Sequence, residues 1–315
     1  NASPGAPSSV QLKIPGKKFG VPVAMSIKDI NEIIKRLIFV AKVARESGFT
    51  GIQIHSAHGY LLSEFLSPDI NKRTDEWGGS LENRTRIHVE IIKGIRKALG
   101  NDFPISLKLN SADFQKGGFS PADALESARI MESAGIDLLE ISGGTYEQPR
   151  LLGLDNLSIN PERSENRKSS SIAREAYFLD YAEKIKKSIS IPIIVTGGFR
   201  TKDAMESSIK SNACQMIGVG RPLCADPQSI RKLLSGQIKE LLTYEKSLSL
   251  GPWILSPSSP FRLIQAINGF GTQAWCYQQI KRMARNEKPD LNMSVFSALK
   301  NDIRDDLASF KALKS

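Results

Sequence analysis

Short apolar runs alternate along this chain with longer stretches in which apolar residues recur every three or four positions. Five runs have the length of strands: Phe49–Ile54, Ile105–Leu109, Asp137–Ile141, Ile191–Val195 and Gln215–Val219. The stretches between them carry helix start and stop signals. Ser26-Ile-Lys-Asp29 has capping-box spacing with Asp in place of Glu. The predicted helix behind it shows Ile30, Ile33, Ile34, Leu37, Ile38, Ala41 and Ala44 on one face, runs to Ser47 and stops at Gly48. A second helix near residues 81–99 aligns Ile87, Ile91 and Ile95, and its His88 reads as a surface residue. Ser120-Pro121-Ala-Asp123 offers an N-cap, Pro at the first helical position and a carboxylate in the first turn, and Gly135 ends that helix. Thr201 and the pair Asp226-Pro227 open two more. Apolar strands separated by helices predict a parallel sheet with helices outside it.

The flanks differ. Residues 1–25 are rich in Pro, Gly and Ser and read as loop. Past residue 237 the pattern is helical, with a break at Trp253 and Ser256–Pro260 between earlier segments and two helices, Phe261–Arg285 and Ser294–Lys311. Trp275 and Tyr277 on the first of these read as packing residues. The expected division is a barrel portion over 1–236 and a C-terminal helical extension, packed on it, over 237–315.

The strand–helix alternation suits a doubly wound sheet or a (β/α)8 barrel, and the loops after the last two strands favour the barrel. These loops are Gly197-Gly198 and Gly218-Val-Gly220-Arg221. In barrels, the loops after strands seven and eight commonly bind phosphate. Glycines let backbone N–H groups approach the oxygens, and Arg221 supplies a bidentate clamp. The strands present would then be the fourth to the eighth, giving an incomplete barrel whose two outer strands keep an unpaired edge.

Composition narrows the class. The 315 residues are 40% hydrophobic and 24% charged, which is globular, and no apolar run reaches the length of a membrane span. Lys and Arg (43) outnumber Asp and Glu (33), for a net charge of +10. The charges are scattered over helix faces and solvated loops such as Arg163–Lys168, which argues against nucleic acid and for anionic small molecules. The three cysteines, Cys214, Cys224 and Cys276, have no CxxC spacing, which argues against a zinc site, an iron–sulfur cluster or a disulfide scaffold and fits a reducing, cytoplasmic setting. The chain opens without Met, on Asn1-Ala-Ser-Pro, and reads like the middle of a longer one.

The densest chemistry is Gln53-Ile-His55-Ser-Ala-His58-Gly-Tyr60, at the end of the first strand present. Two imidazoles there can hydrogen-bond one carbonyl oxygen, and a phenol beside them can deliver a proton. The alternatives are two packed histidines or half of a metal site, for which HxxH without a third ligand is a weak signal. Lys108 lies inside the strand Ile105–Leu109 and needs an anionic partner or a depressed pKa. It either holds negative charge on a cofactor ring or forms a Schiff base, unless it simply reaches out to water.

The segment GFTGIQIHSAHGYLLSEFLSPDINKRTDEWGGSLENRTR (Gly48 to Arg86) resembles the old yellow enzyme family of FMN-dependent NAD(P)H oxidoreductases. The resemblance continues in SLKLNSADF, DLLEISGGTYE, IPIIVTGGFR and MIGVGRPL, and is strongest on the NADH oxidase-like branch without an iron–sulfur domain. It implies that His55 and His58 bind the substrate's carbonyl oxygen and that Tyr60 protonates the alkene. Lys108 falls where many members carry Arg beside the flavin, and Gly197, Gly198, Phe199, Gly220 and Arg221 fall on the FMN phosphate site. Asn71–Arg84 reads as a structural loop. The family's first three strands have no counterpart here. The implied activity passes hydride from NADH or NADPH through FMN to an enone or related acceptor, with no nucleic acid or membrane partner. The two other readings are a Lys108 Schiff-base aldolase or isomerase and an inactive truncated fragment.

Overall fold

Ser26 opens the first long helix as its spacing predicts. Its Oγ accepts from the Asp29 N–H at 3.2 Å, and the Ser26 N–H donates to Asp29 Oδ2 at 2.9 Å. Helix α1 runs over Ile27–Glu46, and Gly48 leaves it with φ 84°, a conformation that suits glycine. Its predicted stripe is buried or half-buried throughout, with Ile30, Ile34 and Ala41 deepest. The computed structural model describes residues 3–12, 20–144 and 178–312. Arg163–Lys168 and the end of DLLEISGGTYE lie outside the described residues.

Two short strands precede α1 in a stretch that reads as loop. Strands β1 (Gly5–Ala6) and β2 (Val23–Ala24) pair in parallel. After α1 come β3 (Ile52–Ser56), α2 (Leu61–Leu66), α3 (Leu81–Leu99), β4 (Ile105–Asn110), α4 (Pro121–Ala134) and β5 (Leu138–Ser142). Then follow α5 (Leu179–Lys186), β6 (Ile193–Thr196), α6 (Lys202–Lys210) and β7 (Met216–Gly218). Strand β3 starts later than the apolar run suggests. Phe49 is 66% exposed and belongs to the turn out of α1, and Ile52 is the first residue in register with β4. The segment Asn71–Arg84 is held as expected of a structural loop: Asn71 Nδ2 donates to the carbonyls of Phe65 and Trp77, each at 2.8 Å.

Strands β3 to β7 form one parallel sheet in chain order. Among the described residues β3 and β7 are its outer strands, so the sheet is an open portion of a (β/α)8 barrel. Register assigns its two faces. Ile54, Leu107, Leu139 and Ile193 form one row and Leu109, Ile141 and Val195 the next, all buried. This is the face that parallel strands turn to their helices, and α3 packs against α1, α2 and α4 behind it. Its apolar stripe is buried as the sequence predicts, and so is His88. That histidine is 0% exposed, and its Nε2 shares a 2.6 Å hydrogen bond with Ser56 Oγ, so it is a core residue and not a surface one.

The chain divides into two compact units, Asn1–Gly198 with Ser207–Gly218, and Phe199–Glu206 with Val219–Ser315. The sheet belongs to the first. In the second, the 3-10 helix Arg221–Cys224 is followed by α7 (Ser229–Leu234), α8 (Tyr244–Ser247), the 3-10 turn Trp253–Leu255, α9 (Arg262–Ala284) and α10 (Val295–Ala312). Helices α9 and α10 match the two predicted C-terminal helices and pack on each other. Trp275 is 1% exposed, in a cluster with Ala225, Leu248, Ala274, Val295 and Ala298. Tyr277, two residues and about 200° round α9 from Trp275, is 49% exposed.

Candidate active site

The opposite face of the sheet carries polar side chains on β3 to β5 and turns apolar toward β7, at Ile194 and Met216. Its central row is His55, Lys108 and Glu140, adjacent in register on β3, β4 and β5. Lys108 Nζ lies 2.9 Å from Glu140 Oε1. Gln53 Nε2 donates to Glu140 Oε2 at 2.8 Å and to Ser106 Oγ at 3.1 Å. Burial raises the Glu140 carboxyl, but hydrogen bonds from Thr196, Lys108 and Gln53 outweigh it and leave the group below its ordinary value. Glu140 is therefore a buried anion satisfied from three neighbouring strands. The partner that Lys108 requires is found two strands from His55, and no sequence pattern singled it out.

At the end of β3 the chain reverses through two residues with positive φ, His58 at 65° and Gly59 at 78°. A left-handed non-glycine residue costs about 1 kcal/mol and persists where its surroundings hold it. The His58 N–H donates to Asn110 Oδ1 at 3.1 Å, and its Nε2 shares a 2.7 Å hydrogen bond with Ser142 Oγ. Asn110 is itself anchored on Asp113 Oδ1 at 3.0 Å and the Gly144 carbonyl at 3.1 Å. The ends of β4 and β5 thus fix an imidazole carried by β3. The His55 ring lies 5.3 Å from the His58 ring and 5.2 Å from the Tyr60 ring, centroid to centroid. The spacing HxxHxY does bring all three side chains together.

Both imidazoles are neutral at pH 7. Burial lowers His58 to about 4, with His55 and Lys108 adding to the fall and Glu140 opposing it. Burial and then Lys108 lower His55 as well. Each neutral ring keeps one N–H donor. One turn beyond Tyr60, burial raises the Glu64 carboxyl to about 7, a group that the sequence pattern did not single out. Among the described residues no three His, Cys, Asp or Glu side chains converge as metal ligands.

The residues expected at phosphate fall in both units, and each group stands by itself. Gly197 and Gly198 follow β6 with φ 126° and 89°, a backbone conformation open to glycine and rarely to other residues. In the second unit Gly220 precedes the 3-10 helix, and a side chain added there meets only open space. Arg221 Nη1 is 2.8 Å from Glu245 Oε1, which also receives Arg200 Nη2 at 2.6 Å. Phe199 is buried, and its carbonyl accepts from Arg200 Nη1 at 2.7 Å.

A parallel sheet whose strand ends gather two neutral imidazoles, a phenol and a lysine matches one family over residues 1–240, described as NADH:flavin oxidoreductase / NADH oxidase. The chain belongs to that family. An NADH-dependent flavin oxidoreductase of Talaromyces variabilis, iccE, is 37% identical over 210 residues, which span 66% of this chain and 49% of that protein. An NADH oxidase of Thermoanaerobacter brockii is 36% identical over 239 residues, 76% of this chain and 34% of that protein. Among solved structures, a 2-naphthoyl-CoA reductase in complex with 2-naphthoyl-CoA superposes with a TM-score of 0.65 at 32% identity, over 76% of this chain and 34% of that one. An old yellow enzyme homologue from Zymomonas mobilis shares the fold, with a TM-score of 0.59 at 21% identity over 82% of this chain and 68% of that one. The chain thus spans about half the length of some curated relatives and less of others.

Proposed function

We propose that this chain carries the substrate-binding and much of the FMN-binding machinery of an oxidoreductase that passes hydride from NADH or NADPH to an enone or similar small acceptor. The observation that supports this most is the cluster of His55, His58 and Tyr60 beside Lys108 in a chain of this family. When bound, FMN would accept hydride from the nicotinamide and give it up to the acceptor.

The residues fit such a group. Lys108 has three N–H bonds, of which Glu140 takes one, so a ring carrying negative charge has a cation and free donors to meet. His55 has no side-chain hydrogen bond to the protein among the described residues, so its ring N–H is available to a ligand oxygen. Gly197, Gly198, Phe199, Gly220 and Arg221 hold the phosphate in this reading. Neutral His55 and His58 each donate one hydrogen bond to the acceptor's carbonyl oxygen and stabilise charge as it develops there. Tyr60 Oη gives its proton to the carbon left anionic after hydride addition. The barrel portion then covers 1–236 and the helical extension 237–315. The free thiols of Cys214, Cys224 and Cys276 fit a cytoplasmic setting.

The 2.9 Å ion pair with Glu140 favours Lys108 as a fixed cation over a Schiff-base nucleophile. The test is to titrate the 315-residue chain with FMN, following flavin fluorescence, and then add a para-substituted phenol and record the charge-transfer band. Quenching that weakens in Lys108→Ala, and a band lost in His55→Ala and His58→Ala, are the expected results. A chain that leaves flavin fluorescence unchanged refutes the reading. Reduction of a carbonyl substrate with borohydride that labels Lys108 would install the aldolase in its place.

A further inference from the structure

The three cysteines stand in different surroundings. Cys214 is fully buried, and burial raises its thiol to about 11. Cys224 ends the 3-10 helix Arg221–Cys224, and Cys276 lies within α9. These two elements pack on each other. The sequence neighbours of both cysteines, Ala225 and Trp275, sit in one buried cluster, and Cys276 itself packs against it. The two thiols lie at this contact, close enough that each shifts the titration of the other. Both residues are half-buried.

We propose that Cys224 and Cys276 form a dithiol site that reacts with hydroperoxides and closes to an intramolecular disulfide. The contact sets unequal roles. Cys276 draws the Cys224 thiol below its ordinary value against the effect of burial, and the Arg221 guanidinium adds to the pull. The same neighbour, with burial, raises Cys276. A thiolate is the nucleophile in peroxide reduction, so Cys224 attacks and Cys276 resolves.

In the first step Cys224 Sγ attacks one peroxide oxygen. The O–O bond breaks, Cys224 is oxidised by two electrons to the sulfenic acid, and the departing oxygen takes a proton and leaves as water, or as an alcohol from an alkyl hydroperoxide. In the second, Cys276 gives up its proton and its sulfur attacks Cys224 Sγ. The S–O bond breaks, the S–S bond forms, and the hydroxide takes that proton and leaves as water. Two thiols and one peroxide become a disulfide with no further oxidant. The bond would tie the segment bearing Arg221 to α9. This inference stands on the second unit alone and does not rest on the proposed flavin chemistry.

The test uses the reduced 315-residue chain. It is exposed to hydrogen peroxide, free thiols are alkylated, and peptides are mapped by mass spectrometry with and without reductant. The expected product is one reductant-sensitive peptide pair joining Cys224 to Cys276, with Cys214 alkylated. Cys276→Ser should hold Cys224 as a sulfenic acid that dimedone captures. Cys224→Ser should consume peroxide at least ~10-fold more slowly, because the thiol with the greater thiolate character is gone. The proposal is overturned if wild-type protein gives over-oxidised Cys224 with Cys276 still alkylated, a disulfide between chains or to Cys214, or no reaction at Cys224. The wild-type map decides even if a variant fails to fold.

Discussion

The two faces of the five-stranded sheet come from the same strands, residue by residue in alternation, and they obey different rules. Ile54, Leu107, Leu109, Ile141 and Val195 turn to the helices and are buried by apolar neighbours. Gln53, His55, Lys108, Glu140 and Thr196 turn the other way, and all but His55 are held by hydrogen bonds and charge. The first face tolerates shape errors poorly because its stability is packing. The second tolerates a charge in a half-buried setting because each charge has a partner: Glu140 without Lys108 and Gln53 would be a carboxylate stripped of water with nothing in return. A parallel sheet therefore supplies a rigid dry side and a chemically loaded side from one set of residues.

The largest expected effect tests the dry face. Leu107→Ala should lower unfolding free energy by about 2–5 kcal/mol, the range for a large-to-small change at a closed core site, read from urea denaturation. A loss below about 1 kcal/mol would mean that the helices close over the gap and that this face is not rigid packing.

The next effect sharpens the electrostatic side. His58 is neutral in the folded chain down to about 4, whereas its ordinary value is 6.5. The unfolded chain therefore binds more protons between these limits, and stability contributed by this site rises with pH across that window and is lost as pH falls. A shift of this size corresponds to roughly 3 kcal/mol. Glu64 works in the opposite sense, because its carboxyl is raised to about 7 from 4.5 and its share is lost as pH rises through that interval. Urea midpoints recorded against pH for His58→Gln and Glu64→Gln should deviate from wild type with opposite slopes. Parallel curves for His58→Gln and wild type would show that the imidazole is not held neutral by burial.

Two smaller effects concern the ligand side. Tyr60→Phe should slow alkene reduction by about 10²-fold while leaving phenol binding nearly unchanged, since it removes a proton donor and not an oxyanion contact. Full-speed reduction would move the proton source elsewhere. Arg221→Ala should weaken FMN by about 1.5–3 kcal/mol, the loss of a charge-assisted hydrogen bond, measured by fluorescence quenching. Unchanged flavin affinity would remove Arg221 from the phosphate site.

Much of this site is legible in one dimension because it is local. His55, His58 and Tyr60 lie within six residues of each other, and a strand end followed by a tight turn brings them together whatever the rest of the chain does. The helix caps at Ser26 and Ser120 and the stop at Gly135 are local in the same way, and all three are observed. Glu140 is hidden in an apolar strand far along the chain from Lys108, and its role appears only once β4 and β5 are aligned in register. His88 looks exposed on a helix until Ser56 arrives from β3 to bond it. Cys224 and Cys276 have no spacing motif and meet only because α9 packs on the 3-10 helix.

The sequence by itself determined the alternation of strand and helix, the caps, the apolar face of the sheet and the His–His–Tyr cluster, because each depends on the chain's own short-range geometry and on which residues avoid water. The tertiary structure alone decided which strand neighbours which and in what register. It thereby decided that Lys108 has Glu140 as its counterion, that burial keeps His55 and His58 neutral, and that two cysteines far apart in the chain lie at one helix contact. Partner choice and desolvation are properties of surroundings assembled from far along the chain, and no local pattern encodes them.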